Sequence, residues 1–130
     1  MDSLNIIITP SIITSSISNF DNKISYIYVY SILIQNKSQN TVQLKSRRWF
    51  VSDEHGKTET ITGDGVVGKT PILQPGGFFE YQSYASIFTK NGCMSGEYYF
   101  KNMESGNLFC TEIPILSFGD ADFLIKERFN

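Results

Sequence analysis

Gly63-Asp64-Gly65-Val66-Val67-Gly68 carries the G-x-G-x-x-G spacing that, between a strand and a helix, cradles the pyrophosphate of a dinucleotide. That chemistry needs a helix launched at the third glycine and an acidic residue about 20 positions on to hold the ribose. Here Lys69-Thr70-Pro71-Ile72-Leu73-Gln74-Pro75-Gly76-Gly77 follows, with two prolines and two glycines where the helix would run. Proline in a helix interior costs about 3 kcal/mol, so no useful helix begins there. Ser83 stands near the position of the ribose acid, and Glu80 lies inside a strand pattern. The run is read instead as a connecting loop that needs positive φ. Its backbone amides could still form a nest for pyrophosphate or a nucleotide polyphosphate, with Arg47, Arg48 or Lys69 balancing the charge. The candidate set for such a site is Gly63, Asp64, Gly65, Gly68, Lys69, Arg47 and Arg48. Three features weigh against it: Asp64 would repel phosphate, Val66-Val67 reads as a core plug, and Arg48 beside Trp49 reads as a sheet-surface charge.

Other reactive side chains are sparse. The single histidine, His55, sits beside Asp53 and Glu54 in a turn and reads as solvated rather than as a base or ligand. Cys93 and Cys110 lack the close spacing of a metal knuckle or a redox pair, and read as reduced, buried thiols of a cytosolic protein. A pairing of the two across neighbouring strands is the lesser alternative. A hard-ion site would require Asp53, Glu54 and Asp64 to converge from separate loops. Serines are numerous, but no G-x-S-x-G elbow accompanies them. The expectation is a non-catalytic protein with neither cofactor nor metal. A net charge of −2 argues against wholesale electrostatic binding to nucleic acid or an acidic membrane. The first residues lack a basic n-region, and no run of about 18 apolar residues is present to span a bilayer as a helix.

The elements that must carry these residues follow a period of two. Leu4 to Ser16 reads as a first strand, with Pro10 at an edge or a bulge, and Ser18-Asn19-Phe20-Asp21-Asn22 as a turn. Ile24, Tyr26, Tyr28, Tyr30, Ile32 and Ile34 share one phase of a long central strand and form its core face. Asn36 to Asn40 closes that strand, so the next is expected to return antiparallel to it. In that next strand Val42 and Leu44 keep one parity while Trp49 and Val51 keep the other. A β-bulge near Ser46 or Arg47 reconciles them and turns Trp49 inward. After the turn Asp53-Glu54-His55-Gly56 comes a short strand from Thr58 to Thr62, and then the glycine loop, expected to cross to the other side of the molecule. Phe79, Tyr81 and Ser83 mark a further strand, and Met94, Gly96, Tyr98 and Phe100 another. A hairpin at Asn102 to Gly106 leads to Phe109, Thr111, Ile113 and Ile115. The tail from Asp120 to Asn130 reads as a short helix or a frayed end.

With 130 residues the chain makes one domain, its core spanning about residues 4–118 with a tail over 119–130. Seven to eight short antiparallel strands with no convincing helix predict an all-β sandwich of immunoglobulin or fibronectin type III type, a closed barrel being the alternative. The Cys…Trp…Cys spacing of true immunoglobulin domains is missing. Seven Tyr, ten Phe and one Trp must therefore supply the packing.

Several ordered segments also resemble the ApaG family: Val42-Gln43-Leu44, Arg48-Trp49, Asp53 with Gly56, the loop Gly63 to Gly68, Pro71, Leu73 with Pro75-Gly76, Phe79 to Ser83, Gly92 to Tyr98 and Ile113-Pro114. The resemblance runs from about Tyr26 to Phe118, with departures at Tyr84 and Arg47. It implies a fibronectin type III-like sandwich of small bacterial cytoplasmic proteins, a domain also appended to some F-box proteins and to a polymerase-delta-interacting protein, where it is thought to bind protein partners. It further carries a gene association with a diadenosine tetraphosphate hydrolase and a cobalt and magnesium efflux label, neither of which is a mechanism. The expected partner is another protein, with pyrophosphate or a nucleotide as the alternative ligand. Exposed strand edges also invite a homodimer.

Overall fold

The period-two run around Tyr28 forms the centre of a sheet. In the computed structural model, which describes residues 5–119, β1 (Ile6–Phe20) and β2 (Lys23–Asn36) make a long hairpin. The run continues through β3 (Val42–Asp53), β4 (Thr58–Asp64), the two-residue β5 (Ile72–Leu73), β6 (Phe78–Ile87), β7 (Gly92–Asn102) and β8 (Leu108–Phe118). All pairings are antiparallel. One sheet has the order β1-β2-β6 and the other β4-β3-β7-β8, with β5 on the far end of β3. Three strands facing four in this order are the fibronectin type III-like arrangement, and no helix occurs among the described residues.

The even face of β2 is the core face from Tyr28 onward: Tyr28, Tyr30, Ile32 and Ile34 are buried, Tyr26 is partly buried, and Ile24 is exposed. They meet Val42, Leu44, Trp49 and Val51 of β3 and Met94, Tyr98 and Phe100 of β7 in one cluster. A relay of rings crosses the two layers. Tyr28 stacks on Phe118 with centroids 4.6 Å apart, Tyr30 tilts against Trp49 at 5.9 Å, and Trp49 meets Tyr98 edge-on at 6.2 Å. Aromatic packing thus takes the place that a disulfide holds in immunoglobulin domains. Where the layers face each other, the Tyr81 and Tyr98 hydroxyls hydrogen-bond to one another inside the core. Burial raises both phenol pKa values above 10, and for Tyr98 the neighbouring Tyr81 raises it further.

Several sequence expectations need correction. β1 runs through Phe20, so the turn is only Asp21-Asn22. Their φ values of 55° and 60° are those of a two-residue type I′ hairpin, whose twist matches the flanking strands. Pro10 lies on an edge strand as expected, but the β1 irregularity falls between Ile12 and Thr14. The strand after Asn36 does not return beside β2; it enters the other sheet. The change of layer is organised by buried Asn36. Its Nδ2 donates to Asn40 O (2.8 Å) and Leu73 O (2.9 Å), and its Oδ1 accepts from Ser38 N (3.0 Å). The glycine loop does not cross the molecule either. β4 and β5 both pair with β3, and the chain changes layer after Leu73, at Gln74 to Gly77. In β8 the alternation breaks after Ile113. A register shift opposite Met94 and Gly96 leaves Ile115 exposed and turns Leu116 and Phe118 inward. Cys93 is buried as expected, but Cys110 is exposed, and neither is in a disulfide. Asp120 to Asn130 lies outside the described residues.

Gly96 marks the tightest approach of two strands. A Cβ there would overlap the Arg48 carbonyl oxygen of β3 and crowd Trp49 Cα at 3.1 Å. Gly106, at φ 81°, has open space around it. Gly96→Ala is therefore expected to cost on the order of 2–4 kcal/mol in urea unfolding, whereas Gly106→Ala should cost only about 1–2 kcal/mol from its left-handed backbone. The buried phenol pair makes a second prediction. Both pKa values are raised in the folded state, so the pair's contribution is intact below about pH 10 and lost as pH climbs past it, at about 1.4 kcal/mol per pH unit for each phenol. An alkaline titration followed by phenolate absorbance should show Tyr81 and Tyr98 ionising only together with unfolding; their ionisation in the folded protein would contradict this packing.

Candidate functional site

The extra residue in β3 sets the geometry of the glycine loop. The register of β3 against β7 slips between Leu44 and Ser46, leaving Lys45 as the bulged residue, one position before the expected site. Its carbonyl oxygen accepts the Gly65 N–H at 2.8 Å. Beyond the bulge Arg47, Trp49 and Val51 share the inward face, and Trp49 is buried as the phase change predicts. The loop then closes on itself, with Val66 N–H donating to Lys69 O (2.8 Å) and Lys69 N–H to Val66 O (2.9 Å). Gly65 (φ 60°), Val67 (φ 43°) and Gly68 (φ 78°) make the bend, and no helix starts at Gly68. Val66 is fully buried and plugs the core, while Val67 is half exposed.

The glycines answer to packing. A Cβ on Gly65 would overlap the Lys69 carbonyl oxygen, and one on Gly63 would stand 2.8 Å from Arg47 Nη1. The space over Gly63 thus belongs to the Arg47 guanidinium, whose Nη1 donates to Asp64 O (3.1 Å) and Gly65 O (2.8 Å). Arg47 also lies among the Tyr30, Tyr81 and Tyr98 phenols, whose pKa values its charge lowers against the larger upward push of burial. Tyr30 additionally shares a hydrogen bond with Ser83.

Of the seven candidate residues, the structure brings Gly63, Asp64, Gly65 and Arg47 together, and Gly68 and Lys69 complete the bend. Arg48 is on the opposite face of β3. Its Nη1 lies 3.6 Å from Glu97 Oε1 and its guanidinium 6.0 Å from the Tyr99 ring centre. Tyr99 donates to the same Glu97 oxygen at 2.6 Å, and that hydrogen bond raises its phenol pKa. His55 sits in the expected turn, where Asp53 Oδ1 accepts the His55 and Lys57 N–H groups, each at 2.9 Å. Glu54 Oε1 accepts from Asn91 N–H at 3.2 Å. Among the described residues no three His, Cys, Asp or Glu side chains gather as a metal set.

Sequence reasoning missed a cleft on the flank where β4 and β6 leave one edge of each sheet unpaired among the described residues. A cavity of about 190 Å³ is floored by Tyr30, Arg47, Trp49 and Met94 and walled by Glu59 and Ile61 of β4 and Ser83 and Ala85 of β6. It adjoins a second of about 280 Å³, which reaches Lys57, Thr58, Ile87 and Phe88 and shares Val51, Glu59 and Ser86 with the first. The one local signal is size. The inward positions of β6 pass from Tyr81 to Ser83 and Ala85, too small to fill the gap between the layers.

The ApaG domain model matches residues 18–102. Over 97 residues the chain is 42% identical to Protein ApaG of Xanthobacter autotrophicus, covering 75% of this chain and 74% of the relative. It is 44% identical over 92 residues to Protein ApaG of Azorhizobium caulinodans, covering 71% and 70%. An X-ray structure of a structural-genomics target superimposes with a TM-score of 0.80 at 28% identity, covering 92% of this chain and 89% of that one. A crystal structure of a Bordetella pertussis protein described as ApaA gives a TM-score of 0.74 at 27% identity, covering 90% and 93%. On sequence match, coverage and fold together, the chain belongs to the ApaG family.

Proposed function

We propose that this ApaG domain is a non-catalytic protein-interaction module that works in the cytoplasm. The observation that carries the reading is the character of β6. Among the described residues it pairs only with β2, and along it and just beyond it Phe78, Tyr84 and Phe88 are each about two-thirds exposed. Edge strands are normally guarded by charges, prolines or bulges. From Phe78 to Ile87 the only charged residue is Glu80, whose carboxylate accepts from Ser31 Oγ at 3.3 Å. An unguarded edge with aromatic side chains favours pairing with another chain, whether a different protein or a second copy of this one.

The alternative, pyrophosphate or nucleotide binding at the glycine loop, has fewer supports. Anion nests need free amides, and those of Gly65, Val66 and Lys69 already donate to backbone carbonyls. Arg47 Nη1 is committed to the carbonyls of Asp64 and Gly65, and Arg48 faces the other way. The cobalt and magnesium association has no side-chain cluster to rest on among the described residues.

A photo-crosslinking amino acid placed at position 84 or 88 is expected to capture a defined adduct in cells, and the same group at Glu112, on the outer face of the other sheet, should not. Equal capture at all three positions, or at none, would overturn the assignment of β6. Calorimetry with pyrophosphate, ATP or diadenosine tetraphosphate, with and without Mg²⁺, should show no binding tighter than about 1 mM. A tighter site abolished by Gly65→Ala in a folded protein would restore the anion reading.

A further inference from the structure

The flank between β4 and β6 has three properties that belong together. Two strand edges, one from each sheet and each unpaired among the described residues, border the same opening. The two adjoining cavities form a trough along β6 from Ser83 to Phe88, about the length of a six-residue extended strand, or roughly 20 Å. At its floor lies Arg47, which has no ion pair with a carboxylate among the described residues. Arg47 uses Nη1 alone for hydrogen bonds; Nε and Nη2 have no partner among the described residues and are not sealed from solvent. A guanidinium fork with free donors in a half-buried trough favours a carboxylate, and the Tyr30 and Ser83 hydroxyls stand beside it. Glu59 and Asp53 are the acids among the lining residues and Lys57 is a second cation in the outer cavity; Glu59 and Lys57 are exposed, and Arg47 is the cation of the floor.

We propose that this trough binds an extended acidic peptide segment of a partner protein. The segment enters between β4 and β6, pairs its backbone with the free edge of β6, and sets one Asp or Glu side chain against Arg47. Alternate side chains of the guest point inward, so its neighbours at spacing two rest on Trp49 and Ile61 and on Phe88. Glu59 at the mouth disfavours a second acid directly beside it. This proposal rests on the interaction-module reading and narrows it to one site and one chemistry.

Panning a random twelve-residue phage-displayed library against the intact protein tests it. Enriched peptides are expected to share one Asp or Glu within a β-forming run. Replacing that acid by its amide should weaken binding at least tenfold in fluorescence anisotropy. Ala85→Phe, which fills the trough, should do the same, while Arg48→Gln on the outer face should change nothing and Glu59→Gln should leave binding equal or tighter. Should Ala85→Phe fail to fold, amide shifts of the wild-type protein on adding peptide decide the matter: they are expected along Thr58–Thr62 and Ser83–Phe88. No enrichment, a consensus without an acid, or shifts centred elsewhere would overturn the proposal. A crosslinked partner at position 84 that persists in Ala85→Phe would leave the interaction module standing and remove the trough.

Discussion

One additional residue in β3 governs the chemistry of this domain. The bulge at Lys45 reverses the parity of everything after it, so Arg47, Trp49 and Val51 turn into the sandwich and Arg48 turns out. A strand without the bulge would place Arg48 inside and Trp49 in solvent, exchanging a large apolar ring for a buried charge. The bulge also frees the Lys45 carbonyl to receive Gly65 N–H, so the irregularity that aims Arg47 also anchors the loop Arg47 holds. Register, loop and charge placement are consequences of a single inserted residue.

The rest of the molecule accommodates that placement. An inward arginine beside an aromatic core needs acceptors, and two loop carbonyls supply them. It needs space, and Gly63 supplies that. It also needs a route to water for the donors left over. The small side chains Ser83 and Ala85 keep the β4–β6 flank open at that depth. On the opposite flank β1 lies alongside β8.

Much of the fold was legible because period two is a strong signal on strands that face a core on one side. Tyr28 through Ile34, the parity switch before Trp49, the turn at Asp53 and the hairpin at Asn102 all fall where residue type dictates. The errors share a cause. A polar turn such as Asn36 to Asn40 tells that a strand ends, not whether the next one joins the same sheet, because that choice depends on which layer offers an unpaired edge and on buried Asn36 bonding across to Leu73. Ile115 falls outside the alternation because a shift opposite Gly96 breaks it at Pro114, whose missing N–H is the one sequence mark of the irregularity. The cleft left almost no trace, since it is made by two strands 20 residues apart in sequence and by what their side chains lack.

The G-x-G-x-x-G run illustrates how one spacing arises from unrelated demands. In a dinucleotide site the glycines allow a ligand to approach the backbone. Here the protein's own atoms occupy those approaches: the Arg47 guanidinium over Gly63 and the Lys69 carbonyl oxygen against Gly65. The third glycine serves the bend, at φ 78° with open space around it. A loop so filled has little left to offer an anion, yet the filling is what carries charge elsewhere. By drawing Nη1 of Arg47 onto its carbonyls, the loop fixes the guanidinium over Gly63 with Nε and Nη2 left without a hydrogen-bond partner among the described residues. The stretch that resembles a cofactor site therefore acts as the mount for a cation, and the surface that cation serves lies between the two open strand edges.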